Sequence, residues 1–181
     1  MGHRTNRYRL SILVFEEPAG LWRAMAHLLQ SGISPEQICL MGLPDTLTAL
    51  RLPFPLDDPE TLPLRHLLRK APMTVRIGET RDLVAHCGSQ MSALLSHSKS
   101  ATLGFDWMQQ ELSQTLFDDA EQGAVVLLVS AANTEQQSTS ARLLLRHGQH
   151  NLQTHEFLWP DSESGEGENS SIPRSIKGYD R

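Results

Sequence analysis

The sequence predicts an α+β domain made of two similar β-α-β halves. Three observations carry this: an apolar strand pattern at residues 8–15, a second at 124–130, and an amphipathic helix closed by a glycine after each.

Tyr8-Arg9-Leu10-Ser11-Ile12-Leu13-Val14-Phe15 alternates and then becomes continuously apolar, which suits a strand buried on at least one face. Glu16-Glu17-Pro18 ends it. Proline fits the first helical turn, and the two acids favour the positive end of a helix dipole. A helix is expected from about Ala19 to Ser31, with Leu21, Met25, Leu28 and Leu29 in one stripe. Gly32 stands where a left-handed cap belongs, and Ile33 supplies the apolar contact after it. Ser34-Pro35-Glu36-Gln37 reads as a turn, and Ile38-Cys39-Leu40-Met41 as a short strand stopped by Gly42.

The same order returns near the end. Gly123 precedes the β-branched strand Ala124 to Ser130. Asn133 and Thr134 can cap a helix, and Thr134 with Gln137 has capping-box spacing. Ser138, Ala141, Leu144 and Leu145 give its apolar side, Gly148 ends it, and Leu152 to Leu158 is the fourth strand. Leu28-Leu29-Gln30-Ser31-Gly32 matches Leu144-Leu145-Arg146-His147-Gly148, which suggests an internal duplication. Two such units most economically form a four-stranded antiparallel sheet with helices on one face, the ferredoxin-like arrangement.

Residues 43–122 read as a helical insertion between the halves. Pro53, Pro55, Pro59 and Pro63 break regular structure. Short helices are expected at Thr46–Leu50 and Leu64–Lys70, and an extended piece or small strand at Met73–Ile77. A helix is expected from Thr80 to about His97 with Leu83, Val84, Cys87, Met91, Leu94 and Leu95 on one side, and another through Phe105, Met108, Leu112 and Leu116. The predicted domain therefore spans 8–159. The stretch 160–181 has almost no apolar residues and is expected to be a disordered tail. If the insertion left one sheet face open, that apolar face would invite dimerisation.

Ile12 to Met41, with its strand, acidic turn, helix and Ser-Gly-Ile-Ser-Pro-Glu-Gln-Ile corner, resembles the N-terminal unit of small bacterial stress-associated proteins of the general stress protein 17M type. Gly123–His155 is similar to the C-terminal unit of the related family, a glycine-led strand followed by a helix ending near Leu-Leu-x-x-His/Asn-Gly. Many of those relatives carry a Gly-rich membrane hairpin between the halves, where this chain has helices and prolines. The resemblance implies a bacterial stress-response context and no catalytic residues.

A net charge of −5 argues against broad nucleic-acid binding. The basic groups Arg4, Arg7, Arg9 and Arg174, Lys177, Arg181 read as solvated ends. No run approaches the ~18 apolar residues of a membrane span, and the N-terminus lacks a signal-peptide pattern. Cys39 and Cys87 have no CxxC spacing and are expected as buried free thiols, which fits a reducing, cytoplasmic setting.

His147, His150 and His155 are the one candidate metal set, three imidazoles close in sequence that could serve Zn, Ni or Cu. His147 also has a structural reading, as a cation at a helix C-terminus. His86-Cys87 is not a nucleophile–base pair, because adjacent helical residues do not face each other. Asp57, Asp58 and Glu60, and Asp118, Asp119 and Glu121, lack calcium-loop spacing and read as solvated acids. Arg51 to Leu56 has the look of a polyproline-type ligand but reads first as a linker or packed loop. Trp22, Trp107 and Trp159 read as core or interface anchors. Phosphate-binding loops and nucleophile elbows are absent. The sequence points to a binding or regulatory module without a cofactor, acting as a homodimer or on a protein partner. The alternative is a small-molecule or metal-binding protein, possible as an enzyme, with a pocket between sheet and insertion.

Overall fold

A computed structural model describes residues 5–50, 62–70, 72–77, 80–95, 110–147 and 152–160. The strands are β1 (Thr5–Phe15), β2 (Ile38–Gly42), β3 (Met73–Ile77), β4 (Thr80–Cys87), β5 (Val125–Ala131) and β6 (Gln153–Pro160). The helices are α1 (Pro18–Gln30), α2 (Pro44–Ala49), α3 (Leu62–Arg69), α4 (Ser89–Leu95), α5 (Gln110–Glu121) and α6 (Thr134–His147). The strands form one sheet in the order β3-β4-β2-β5-β1-β6, with every neighbouring pair antiparallel.

The two terminal units interleave. β1 and β2 run parallel with β5 between them, and β5 and β6 run parallel with β1 between them. The central ladder joins the two strands read most clearly from sequence, Leu10 opposite Ser130 through Phe15 opposite Val125. Leu21, Met25 and Leu28 of α1 are fully buried, each side chain stabilising by roughly 1.5–3 kcal/mol. After α1, Gly32 at φ 93° lets the Ile33 N–H reach the Leu28 carbonyl and the Gly32 N–H reach that of Leu29, both at 3.1 Å. Gly123 closes α5 the same way.

Three expectations about the strands and helices need correction. Among the described residues the sheet has six strands, not four, because the region read as a helical insertion contributes the hairpin β3-β4. Residues 80–87 are a strand rather than the start of a helix. Leu83, Ala85 and Cys87 point to one core at spacing two, and Val75 pairs with Leu83 while Cys39 pairs with Cys87. On α6, the inward side is Ser140 and Leu144, while Leu145 is 62% exposed and Ser138 is exposed.

Both faces of the sheet are covered. α1, α2, α3 and α6 pack on a core containing Leu13, Ile38, Leu40 and Leu127. α4 and α5 place Met91, Leu94, Leu116, Phe117 and Ala120 on the opposite core with Leu10, Ile12, Met41 and Leu128. The condition set for dimerisation through an open sheet face is therefore not met. Cys39 and Cys87 are not free thiols: they form a disulfide between β2 and β4, buried to 1% and 6% exposure. That removes the free thiols from the case for a reducing compartment. No helix among the described residues is long and apolar enough to cross a membrane.

Candidate functional site

A cleft of about 430 Å³ opens where β1 begins and β5 ends. It is lined by Arg7 and Tyr8, by Gln37, by Ser130 to Ala132, and by Gln90, Ala93 and Leu94 of α4. The cleft thus lies between the sheet and a helix of the central region.

Its floor is a polar node held by three elements. Pro35–Gln37 form one 3₁₀ turn, and the Ser34 backbone N–H donates to Gln37 Oε1 at 3.0 Å. Gln37 Nε2 donates to the Ser130 carbonyl at 2.9 Å and to Gln136 Oε1 at 3.1 Å. Gln136 Oε1 also accepts the Ala132 backbone N–H at 2.7 Å. The Ser130 hydroxyl donates to the Gln37 carbonyl at 3.4 Å. Asn133 Oδ1 caps α6 by accepting the Gln136 N–H at 2.8 Å, so the cap is Asn133 rather than the Thr134–Gln137 pair. Gln37 is buried with both its amide oxygen and its nitrogen bonded, which fixes the orientation of the wall.

Charge enters at one place. Arg7 pairs with Glu156 at 3.2 Å, and Arg9 with the same carboxylate oxygen at 3.0 Å. These two arginines, read from sequence as a solvated end, are cross-strand partners on β1 and β6. Of the residues lining the cleft, only Arg7 is charged. None forms a nucleophile–base pair, so the arrangement suits hydrogen bonding to a small polar ligand rather than bond making.

The candidate metal ligands separate. His147, at the end of α6, meets His27 of α1, with Nδ1 of His27 2.7 Å from Nε2 of His147. Burial first, then His27, Arg23 and Arg146, hold the His147 pKa below the usual imidazole range, so its surroundings disfavour the cation suggested by the helix end. His155 sits opposite Leu10, on the sheet face covered by α4 and α5, and burial lowers its pKa also. His150 lies outside the described residues. Among the described residues, no group of three or more His, Cys, Asp or Glu gathers to hold a metal.

His86 is buried on β4 with Nδ1 3.1 Å from the Lys70 carbonyl oxygen, and its neighbour Cys87 is in the disulfide. Asp118 accepts from Gln114 at 2.8 Å within α5. Asp57, Asp58, Glu60, residues 51–56, Trp107, Arg4 and the stretch 161–181 lie outside the described residues. Trp22 packs half-buried on the α1 core.

Sequence reasoning missed Gln37, Ser130 and Gln136 as a unit. Two local signals were available: Ser34 with Gln37, and Asn133 with Gln136, both at helix-start spacing. Their meeting depends on contacts 93 and 99 residues apart in sequence. Compared with known proteins, the chain matches no family model, no curated protein and no solved structure.

Proposed function

We propose that this protein is a small-molecule-binding module whose ligand occupies the cleft between the sheet end and α4. The observation that carries this is a 430 Å³ cleft backed by a buried, fully hydrogen-bonded Gln37 and bordered by Arg7. Such a wall is rigid before a ligand arrives, and that lowers the ordering cost of binding. The ligand class is a compact molecule with hydrogen-bonding groups, neutral or singly anionic. A ligand-observed NMR screen of small amides and carboxylates against the full chain tests this. Binders should lose their signal with the A93W variant, which fills the cleft from α4. A screen without binders, or binders that ignore A93W, refutes it.

Self-association or a protein partner is the second reading. It is supported by the open sheet, since among the described residues β3 and β6 each have a strand partner on one side only. Sedimentation of the full chain should then show a dimer, and a strict monomer at all concentrations counts against self-association.

The strands β2-β5-β1-β6 with α1 and α6 are further proposed to be a ferredoxin-like core, with the β3-β4 hairpin and α2 to α5 added to it. The two interleaved β-α-β units support that assignment. Kinship with the general stress protein 17M type is proposed on the residues of 12–41 and 123–155 alone, and it assigns no activity.

A further inference from the structure

α1 and α6 lie side by side on one core, and His27 and His147 meet across them. Their ring centroids are 4.7 Å apart and their planes tilted by 50°. An N···N contact of 2.7 Å needs a proton on one nitrogen and a lone pair on the other. The coordinating directions of the two rings thus converge on one point between the helices. His27 is exposed and His147 half-buried, so the point can be reached from solvent. The neutral imidazole is the form that ligates metals.

We propose that His27 and His147 form a two-imidazole site for a divalent transition-metal ion, with Zn²⁺ as the simplest case, which replaces the shared proton and ties α1 to α6. Zn–N bonds of 2.0–2.1 Å in a tetrahedral arrangement place two nitrogens about 3.3 Å apart, so the rings must part by roughly 0.6 Å. The exposed His27 side chain supplies that movement. With both rings neutral, the ring that donated the shared proton gives it up to solvent and takes one on its outward nitrogen, so both facing nitrogens hold lone pairs and no net proton is released. Water completes the coordination, because no third protein ligand is gathered among the described residues. Arg23 and Arg146 oppose a cation here. Both are exposed, and Arg23 directs its Nε to the Ala19 carbonyl at 3.3 Å, so solvent and salt screen their effect. The site is accordingly an exchangeable one.

Isothermal titration of Zn²⁺ into the full, tag-free chain after chelator treatment tests this, with thermal unfolding as the second readout. The expected result is one Zn²⁺ per chain and a higher unfolding temperature with metal. H27A and H147A should each lose both effects, while H155A, altered on the opposite sheet face, should keep both. Circular dichroism of metal-free H27A checks that the exposed substitution leaves the fold intact. Absence of zinc uptake by the wild-type chain, wild-type uptake by H27A, or loss of uptake in H155A would each overturn the proposal.

Discussion

The Glu36 carboxylate caps α4 at Ser89, accepting its backbone N–H at 2.7 Å and its hydroxyl as well. Lys70, just after α3, approaches the same oxygen at 3.6 Å. One side chain at the turn before β2 thereby ties the start of α4 and the end of α3 to the sheet, and α4 forms one wall of the cleft.

These contacts set a pH dependence. The hydrogen bonds from Ser89 are the main cause that holds Glu36 below its usual pKa of 4.5, with Lys70 adding a smaller pull. A carboxylate with a lowered folded-state pKa stabilises the fold above its unfolded pKa, and that contribution is lost as pH falls through the folded value. The E36Q variant should be less stable than wild type near neutrality by about 1 kcal/mol or less, since an exposed group is screened. The gap should close as the pH drops below about 4.5. Urea unfolding of both chains across pH 3–7 measures it, and a constant gap refutes the assignment.

Gly88 sits between Cys87 and this cap, and its N–H donates to the Ile38 carbonyl at 2.8 Å. A Cβ built there overlaps the Pro35 carbonyl oxygen and the Glu36 backbone, neither of which can swing aside as a side-chain tip could. G88A is expected to destabilise the chain by about 1–3 kcal/mol, the usual range for overpacking. Denaturant unfolding checks this. A variant as stable as wild type would show that the 3₁₀ turn and the end of β4 do not pack so closely.

How much of this was legible depends on range. β1, α1, β2 and β5 could be read because their signals are local: the alternation into Phe15, Pro18 at the helix start, and Gly32 with Ile33 at its end. The strand β4 was misread because Leu83, Val84 and Cys87 fit a helical stripe as well as Leu83, Ala85 and Cys87 fit an alternating one. Pairing with β2 and β3 decided between them, and pairing is not written in either segment alone. The meeting of His27 with His147, 120 residues apart, and the Gln37 node were hidden for the same reason.

The Cys39–Cys87 bond closes a loop with a sequence separation of 48 between strands that are already neighbours. Constraining such a loop in the unfolded chain stabilises a fold by roughly 2–4 kcal/mol. Alkylation of the denatured, unreduced chain should leave its intact mass unchanged, and prior reduction should admit two labels, one on each of Cys39 and Cys87. Reduced protein should unfold at lower urea. Labelling without reduction would show two thiols, returning to the sequence-based expectation.

The Gln37 amide makes the sharpest test of the cleft wall, because its roles as donor and acceptor can be separated. Q37L removes both and strands the Ser34 N–H, the Ser130 carbonyl and one contact of Gln136. An orphaned buried group costs about 1–3 kcal/mol, and the loss should fall in or somewhat above that range. Q37E keeps the shape and the acceptor for Ser34 but, when ionised, has no proton to offer the Ser130 carbonyl or Gln136 Oε1, and it places negative charge against two acceptors. Q37E should therefore be the less stable variant at neutral pH and recover relative to Q37L on acidification, as the carboxyl gains one donating proton. Parallel pH series of urea unfolding distinguish the cases. If Q37E and Q37L track each other at every pH, the two donor bonds do not hold the wall, and the preorganised cleft loses its physical basis.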